Sequence, residues 1–181
     1  SDGITQAYQK VTNKLERGAA TGYSLSGIVI AVGEGVQNFH VGDFVAAAGG
    51  GYANHAEYVD VPEKLVVKMP QGMDFKSAST VTLGAIAMQG VRRADLHFGE
   101  FAVVVGAGIL GMLTVQMLRF SGIRVAAIDL DENRLKIAHE IGAELILNPI
   151  HENPVNPIQN WTGGHGVDAV LFTAATSSSE P

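Results

Sequence analysis

The chain has 181 residues, 46% of them hydrophobic and 17% charged, with a formal net charge of −6 and no cysteine. This is an ordinary globular composition with room for one domain or two small ones, and an acidic balance without a basic run argues against a nucleic-acid partner. The missing cysteines exclude disulfides, thiolate metal sites and a cysteine nucleophile within this chain. No apolar stretch is long enough to span a bilayer and nothing after Ser1 resembles a signal peptide, so the expectation is a cytoplasmic protein with no membrane partner.

In chain order, residues 1–20 carry a modest helical pattern, with Tyr8, Val11 and Leu15 at three- to four-residue steps. From Ser24 the texture turns to short β-branched and alternating runs: Ser24–Val36, Val41–Ala48 and Ala56–Met69. Gly33-Glu34-Gly35, Gly42-Asp43 and Gly49–Gly51 separate them as turns, and Pro62 and Pro70 suit strand edges. Asp74–Arg93 predicts a helix with Ala78, Leu83, Ile86, Ala87 and Val91 on one face, bridging the β part to the α/β part of the chain. Arg92, Arg93 and Asp95 read as its solvated end.

Strands and helices then alternate. The runs are Phe101–Val105, Ile109–Ser121, Arg124–Leu130, Glu132–Ile141, Leu145–Asn148, a short helix near Pro157–Thr162, and Val167–Thr173. Such alternation predicts an α/β fold, a doubly wound parallel sheet with helices on both faces. Trp161, just before Gly163-Gly164, is expected in a loop against the sheet edge. The polar stretch Ala174–Pro181 comes after the fourth strand, where a nucleotide-binding sheet usually continues through two more. The chain is therefore expected to be a fragment, with a small β domain over residues 1–83 and a truncated nucleotide domain over 84–181.

The most informative stretch is Gly106-Ala107-Gly108-Ile109-Leu110-Gly111, between an apolar strand and a helix. In a dinucleotide-binding turn the first glycine makes the tight turn, the second admits the pyrophosphate and the third allows close helix packing. The helix N-terminus presents free N–H groups to the phosphates, so Gly106, Gly108, Ile109, Leu110 and Gly111 are the candidate cofactor residues. Leu110, Leu113, Met117 and Leu118 continue at helical spacing, and Gly122 stands where a C-terminal cap is expected. Asp129 ends the next strand, where a carboxylate accepts the adenosine ribose hydroxyls and repels a 2′-phosphate; NAD is favoured over NADP. Asp131, with Glu132 after it, is the better helix cap. Ala174 lies just past the C-terminal end of the fourth strand, where ligands of open α/β sheets collect, and is placed in backbone contact with NAD.

Several strings together resemble the medium-chain dehydrogenase/reductase superfamily, the group containing zinc alcohol dehydrogenases. Gly22–Val29 with Val41-Gly42-Asp43-Phe44-Val45 is similar to its GHE-x-x-G…VGEGV…VGDxV segment. Ala56-Glu57-Tyr58-Val59 with Val61-Pro62 resembles its AEY-V-x-VP turn, and Gly84 aligns with the glycine opening the bridging helix. Gly51–Tyr58 is most similar to the branch in which such a module is fused to a second oxidoreductase domain. The resemblance implies a partial GroES-like domain followed by a Rossmann domain, and an NAD-dependent oxidoreductase. It covers nearly everything from Gly22 onward.

The departures matter as much. Tyr23 and Ser24 stand where the family's zinc members carry the metal-binding His and its Glu, and Thr82 stands at the third ligand position. The structural-zinc lobe is shortened to Ala46–Asn54, and the six histidines show no paired metal-ligand spacing. A zinc-free member is expected, with no metal residues. Without a Lewis acid, charge on the substrate oxygen must be met by hydrogen-bond donors, and Tyr23, His55 and Tyr52 are the candidates. The expected substrate is a small alcohol, carbonyl or sugar-like molecule. Two rival readings remain: a non-catalytic dinucleotide-binding module, and a zinc enzyme whose ligands lie outside this chain. A methyltransferase is disfavoured, because Val103–Val105 lacks the acidic residue usual before its glycines. Relatives commonly associate through the last strand of the nucleotide sheet, so homo-oligomer formation by the full-length protein stays open.

Overall fold

The computed structural model describes residues 21–175, so the helical pattern at Tyr8, Val11 and Leu15 lies outside the described residues. The chain divides into two compact units, Ser1–Thr82 and Leu83–Pro181. Among the described residues no helix is long and apolar enough to cross a membrane.

The first unit holds a three-stranded antiparallel sheet in the order β1 (Ser24–Ile28), β2 (Phe44–Ala48), β3 (Val66–Lys68). Ser24 lies opposite Ala48 and Ile28 opposite Phe44, while Val45 lies opposite Lys68. Val45, Ala46 and Ala47 of the central strand are buried. All three strands are shorter than their apolar runs. Pairing ends where the partner ends: past Ile28 two bonds persist, Val29 N to Asp43 O at 2.9 Å and Gly42 N to Val29 O at 2.8 Å. Between Ala56 and Leu65 the alternation is a loop that closes in a single 3₁₀ turn, Glu63–Leu65, after Pro62. Proline cannot donate to a ladder, and Leu65 N bonds Pro62 O at 2.8 Å instead.

The run expected as one helix is two, α1 (Phe75–Ala78) and α2 (Val81–Ala94). Asp74 caps α1, accepting from Ser77 N at 2.9 Å. The break has a chemical cause: Ser79 Oγ bonds Lys76 O at 2.7 Å and Thr80 Oγ1 bonds Ser77 O at 2.8 Å. Such hydroxyls offer the backbone an alternative to the helical ladder. Arg92 and Arg93 in the last turn of α2 and Asp95 just after it are all exposed, as a solvated helix end should be.

The second unit is a parallel sheet in the order β6 (Leu145–Leu147), β5 (Arg124–Ile128), β4 (Phe101–Val105), β7 (Ala169–Phe172). Side chains alternate across a strand, so the sheet has two cores. On one face Ala102, Val104, Val125 and Ala127 pack with Val115 and Leu118 of α3 (Ile109–Phe120) and Leu135 and Ala138 of α4 (Glu132–Glu140). On the other, Val103, Ala126, Ile128 and Leu147 pack with Ile158 and Trp161 of α5 (Val155–Trp161). Helices thus cover both faces. The stripe of α3 that reaches the core is Gly111, Thr114, Val115 and Leu118; of the expected Leu110, Leu113, Met117 and Leu118 only Leu118 is fully buried. Gly122, at φ +77, closes α3: its N–H bonds Arg119 O and Ile123 N bonds Leu118 O at 3.0 Å.

Trp161 corrects the loop expectation. It is the last residue of α5 and meets Phe101 edge-on at 4.8 Å, at the start of a central strand. Arg124 lies over the Phe101 ring at 4.6 Å, with its Nη2 2.7 Å from Glu144 Oε2. Trp161 Nε1 donates to the same oxygen at 3.3 Å. This clasp fastens the N-terminal ends of the strands, opposite the glycine turn.

Candidate functional site

The glycine turn, Asp129 and Ala174 converge at the C-terminal ends of β4, β5 and β7. Gly106 leaves β4 at φ +97, a left-handed conformation open to glycine, and its N–H bonds Ile128 O at 2.7 Å. A Cβ there would lie 2.7 Å from Ala174 N, so the backbone after β7 passes directly over the turn. A Cβ on Gly111 would lie 1.8 Å from the Gly106 carbonyl oxygen. Gly108 differs. It caps α3 with ordinary extended dihedrals, and a Cβ there would meet nothing within 4 Å. Among the described residues nothing needs its side chain absent, and the open space lies at the N-terminus of α3, where N–H groups have no helical partner. Ile109 is exposed and Leu110 half-buried beside it. These features fit a dinucleotide.

Asp129 is the charged group of the cradle. Its Oδ2 accepts from Ala107 N at 2.6 Å and its Oδ1 from Asp131 N at 2.9 Å. Each oxygen keeps acceptor capacity, since a carboxylate offers about four lone-pair sites. Arg134 Nη1 stands 4.0 Å from Oδ2 and Nε 3.9 Å from Asp131, so its charge is shared between two carboxylates. Asp131 caps α4, accepting from Asn133 N at 2.8 Å. Two polar residues of this region escaped the sequence reading. Asn148, buried after β6, donates to Leu130 O at 3.1 Å and Glu132 Oε1 at 2.6 Å, pinning the turn after Asp129. Thr173 donates to Gly106 O at 2.6 Å. A polar residue ending an apolar strand was the available signal for both.

In the first unit, two segments carry the other candidates. Gly49 N bonds Tyr23 O at 2.9 Å and His55 N bonds Thr21 O at 2.7 Å, which lays the 49–55 loop along residues 21–23. A Cβ on Gly22 would lie 2.4 Å from the His55 ring, so the imidazole covers Gly22 beside Tyr23. Tyr23 and Tyr52 are 44% and 48% exposed, and His55 is exposed, leaving all three able to meet a ligand. Ala53 at the loop's centre is fully buried and anchors it.

The alcohol dehydrogenase GroES-like domain model matches residues 2–71, and the zinc-binding dehydrogenase model matches residues 110–180. The (R,R)-butanediol dehydrogenase of Bacillus subtilis is 33% identical over 175 residues, covering 83% of this chain and 50% of that protein. The chain belongs to the medium-chain zinc-type alcohol dehydrogenase superfamily. It spans about half the length of the superfamily relatives it matches. Others are named D-guloside 3-dehydrogenase, L-threonine 3-dehydrogenase and alcohol dehydrogenase. Among solved members, the alcohol dehydrogenase of Thermus sp. ATN1 superposes with a TM-score of 0.80 at 25% identity, over 88% of this chain and 56% of that one. A mycobacterial member complexed with NADPH gives 0.74 at 28% identity, over 82% of this chain and 48% of that one. The superfamily binds NAD(P).

The positions that align with the superfamily's metal ligands do not fit a zinc. Neither Tyr23 nor Thr82 is a zinc ligand type, and the Ser24 hydroxyl is spent on a carbonyl, Ser79 O at 2.5 Å. Among the described residues no group of three or more His, Asp or Glu could hold a metal ion.

Proposed function

We propose that this chain is part of an NAD-dependent oxidoreductase that moves a hydride between nicotinamide and an alcohol, carbonyl or sugar-like hydroxyl without catalytic zinc. The observation that carries the cofactor choice is Asp129. Its side chain is only 10% exposed, accepts the Ala107 N–H of the glycine turn through Oδ2 and the Asp131 N–H through Oδ1, and shares its neighbouring arginine with Asp131. A carboxylate so placed accepts ribose hydroxyls and repels a 2′-phosphate.

Bound nicotinamide supplies the hydride chemistry. This chain's part is to hold the cofactor with Gly106, Gly108, Ile109, Leu110, Gly111, Asp129 and Ala174, and to place donors on the substrate oxygen. The Tyr23 hydroxyl and the His55 imidazole belong to adjoining, exposed segments, and Tyr52 sits on the same loop as His55. Donors aimed at developing negative charge take over the work of a metal. In the full-length enzyme, Tyr23→Phe and His55→Ala should each lower kcat by about 100-fold. An unchanged kcat removes that residue from the mechanism.

The deciding experiment titrates the chain with NADH and NADPH by nicotinamide fluorescence. NADH should bind at least about tenfold more tightly, given like charges a few ångströms apart. Equal or preferred NADPH binding overturns the Asp129 argument. The commitment of the Ser24 hydroxyl to a backbone carbonyl also suits a non-catalytic dinucleotide-binding module. That reading requires tight NADH binding with no turnover of any alcohol by the full-length protein. Stoichiometric zinc in the full-length protein would instead mean ligands from outside this chain.

A further inference from the structure

One peptide unit of the cradle is gripped from both sides. The carbonyl of Gly106 accepts the Thr173 hydroxyl at 2.6 Å, and the N–H of Ala107, on the same peptide plane, donates to Asp129 Oδ2 at 2.6 Å. The hydroxyl has a single proton. Val105 O, at 3.1 Å, already takes the Thr173 backbone N–H at 2.8 Å, so the proton goes to the nearer Gly106 oxygen. That oxygen is the atom a Gly111 Cβ would strike, which shows how closely it is wedged against α3. A peptide is planar, so a rotation that releases the carbonyl swings the N–H as well.

We propose that Thr173 is a positioning residue for the dinucleotide. Acting through the Gly106–Ala107 peptide, it fixes the Asp129 carboxylate and so ties the end of β7 to the recognition of the adenosine ribose. The inference rests on the NAD reading, because only there is the ribose the ligand of Asp129. The path is short: hydroxyl, peptide, carboxylate. Thr173 itself touches neither the reacting atoms nor the ribose.

Thr173→Val separates this role from packing. Valine keeps the shape and the residue's N–H bond to Val105 O, so Tm should fall only by the about 2–4 °C that one lost hydrogen bond costs. NADH affinity should fall by about tenfold, as for one well-placed hydrogen bond, and Thr173→Ser should restore it to within about twofold. The Ala107 amide resonance in a 1H–15N spectrum should move in the valine variant and return in the serine variant. If the valine variant does not fold, Thr173→Ala, which removes rather than adds bulk, carries the same expectation. Wild-type affinity in the valine or alanine variant, or a serine variant as weak as valine, overturns the inference while the NAD reading stands. A wild-type chain that binds no NADH overturns the NAD reading and this inference with it.

Discussion

Two glycines of the same turn should respond oppositely to the same added methyl group. At Gly111 the new Cβ would sit 1.8 Å from the Gly106 carbonyl oxygen and 2.9 Å from Thr173 Oγ1. Non-bonded heavy atoms rest about 3.5 Å apart, so helix or turn must give way by about 1.7 Å. That movement breaks the Thr173 bond. Overpacking of this kind costs about 1–3 kcal/mol, and the lost hydrogen bond adds about 1 kcal/mol. Gly111→Ala should therefore lower Tm by about 6–12 °C for a chain of this size, and NADH binding should go with it. At Gly108 the new Cβ meets nothing within 4 Å on an ordinary extended backbone. Tm of Gly108→Ala should stay within about 2 °C, because compatible Gly→Ala changes are neutral or mildly stabilising. NADH affinity should nevertheless fall by about tenfold or more, since the methyl occupies the space left for the pyrophosphate. Calorimetry and nicotinamide fluorescence on the two variants settle it. Equal destabilisation of both, or wild-type NADH binding by Gly108→Ala, would refute the division of labour.

Packing and charge set three more expectations. Leu118 is fully buried between α3 and the sheet, so Leu118→Ala should cost about 2–5 kcal/mol in denaturant unfolding at unchanged pH. Asn148→Ala leaves Leu130 O and Ile150 N without their side-chain partner, and should cost about 2 kcal/mol, read as a lower urea midpoint. The Arg124 hydrogen bond holds the Glu144 carboxyl below its ordinary 4.5. A carboxylate depressed by folding adds stability above its unfolded value and loses it as pH falls through the folded one. Wild type should thus lose stability from about pH 4.5 downward, and Glu144→Gln should flatten that limb. Glu144 is 35% exposed and screened, so the difference should stay under about 1 kcal/mol; a larger one refutes the assignment to this pair alone.

The nucleotide unit was legible in the sequence because each of its signals is local. Phe101–Val105 is a strand buried on both faces and bounded by glycine, so the apolar run and the strand coincide residue for residue. The small sheet was less so. There the alternation outlasts the pairing, since Ile30–Val36 and Ala56–Val61 keep apolar positions without a partner strand among the described residues. Asp74–Arg93 has the period of one helix, and only the hydroxyls of Ser79 and Thr80 split it. The contact of His55 with Gly22 depends on backbone bonds across the 49–55 loop, which no spacing encodes. Thr173 was hidden for a related reason. A threonine closing an apolar run reads as a strand former, and its partner carbonyl is 67 residues away.

Asp129 carries two duties that a substitution can separate. On the proposed reading its charge selects against a 2′-phosphate, while its Oδ2 receives the Ala107 N–H. Asp129→Asn removes the charge but keeps a carbonyl oxygen for Ala107 and for one ribose hydroxyl. Asp129→Ala removes both, leaving the Ala107 N–H unpaired in a half-buried site at a cost of about 1–3 kcal/mol. The asparagine variant should thus bind NADPH more tightly than wild type does, narrowing the NADH preference about tenfold. The alanine variant should lose affinity for both cofactors and move the Ala107 amide resonance. Paired fluorescence titrations make the comparison. If alanine narrows the preference as well as asparagine and keeps NADH affinity, the carboxylate acts on the cofactor by charge alone, and the turn does not depend on it. If instead the amide resonance tracks the acceptor and the selectivity tracks the charge, one side chain sets both the shape of the cradle and the choice of cofactor.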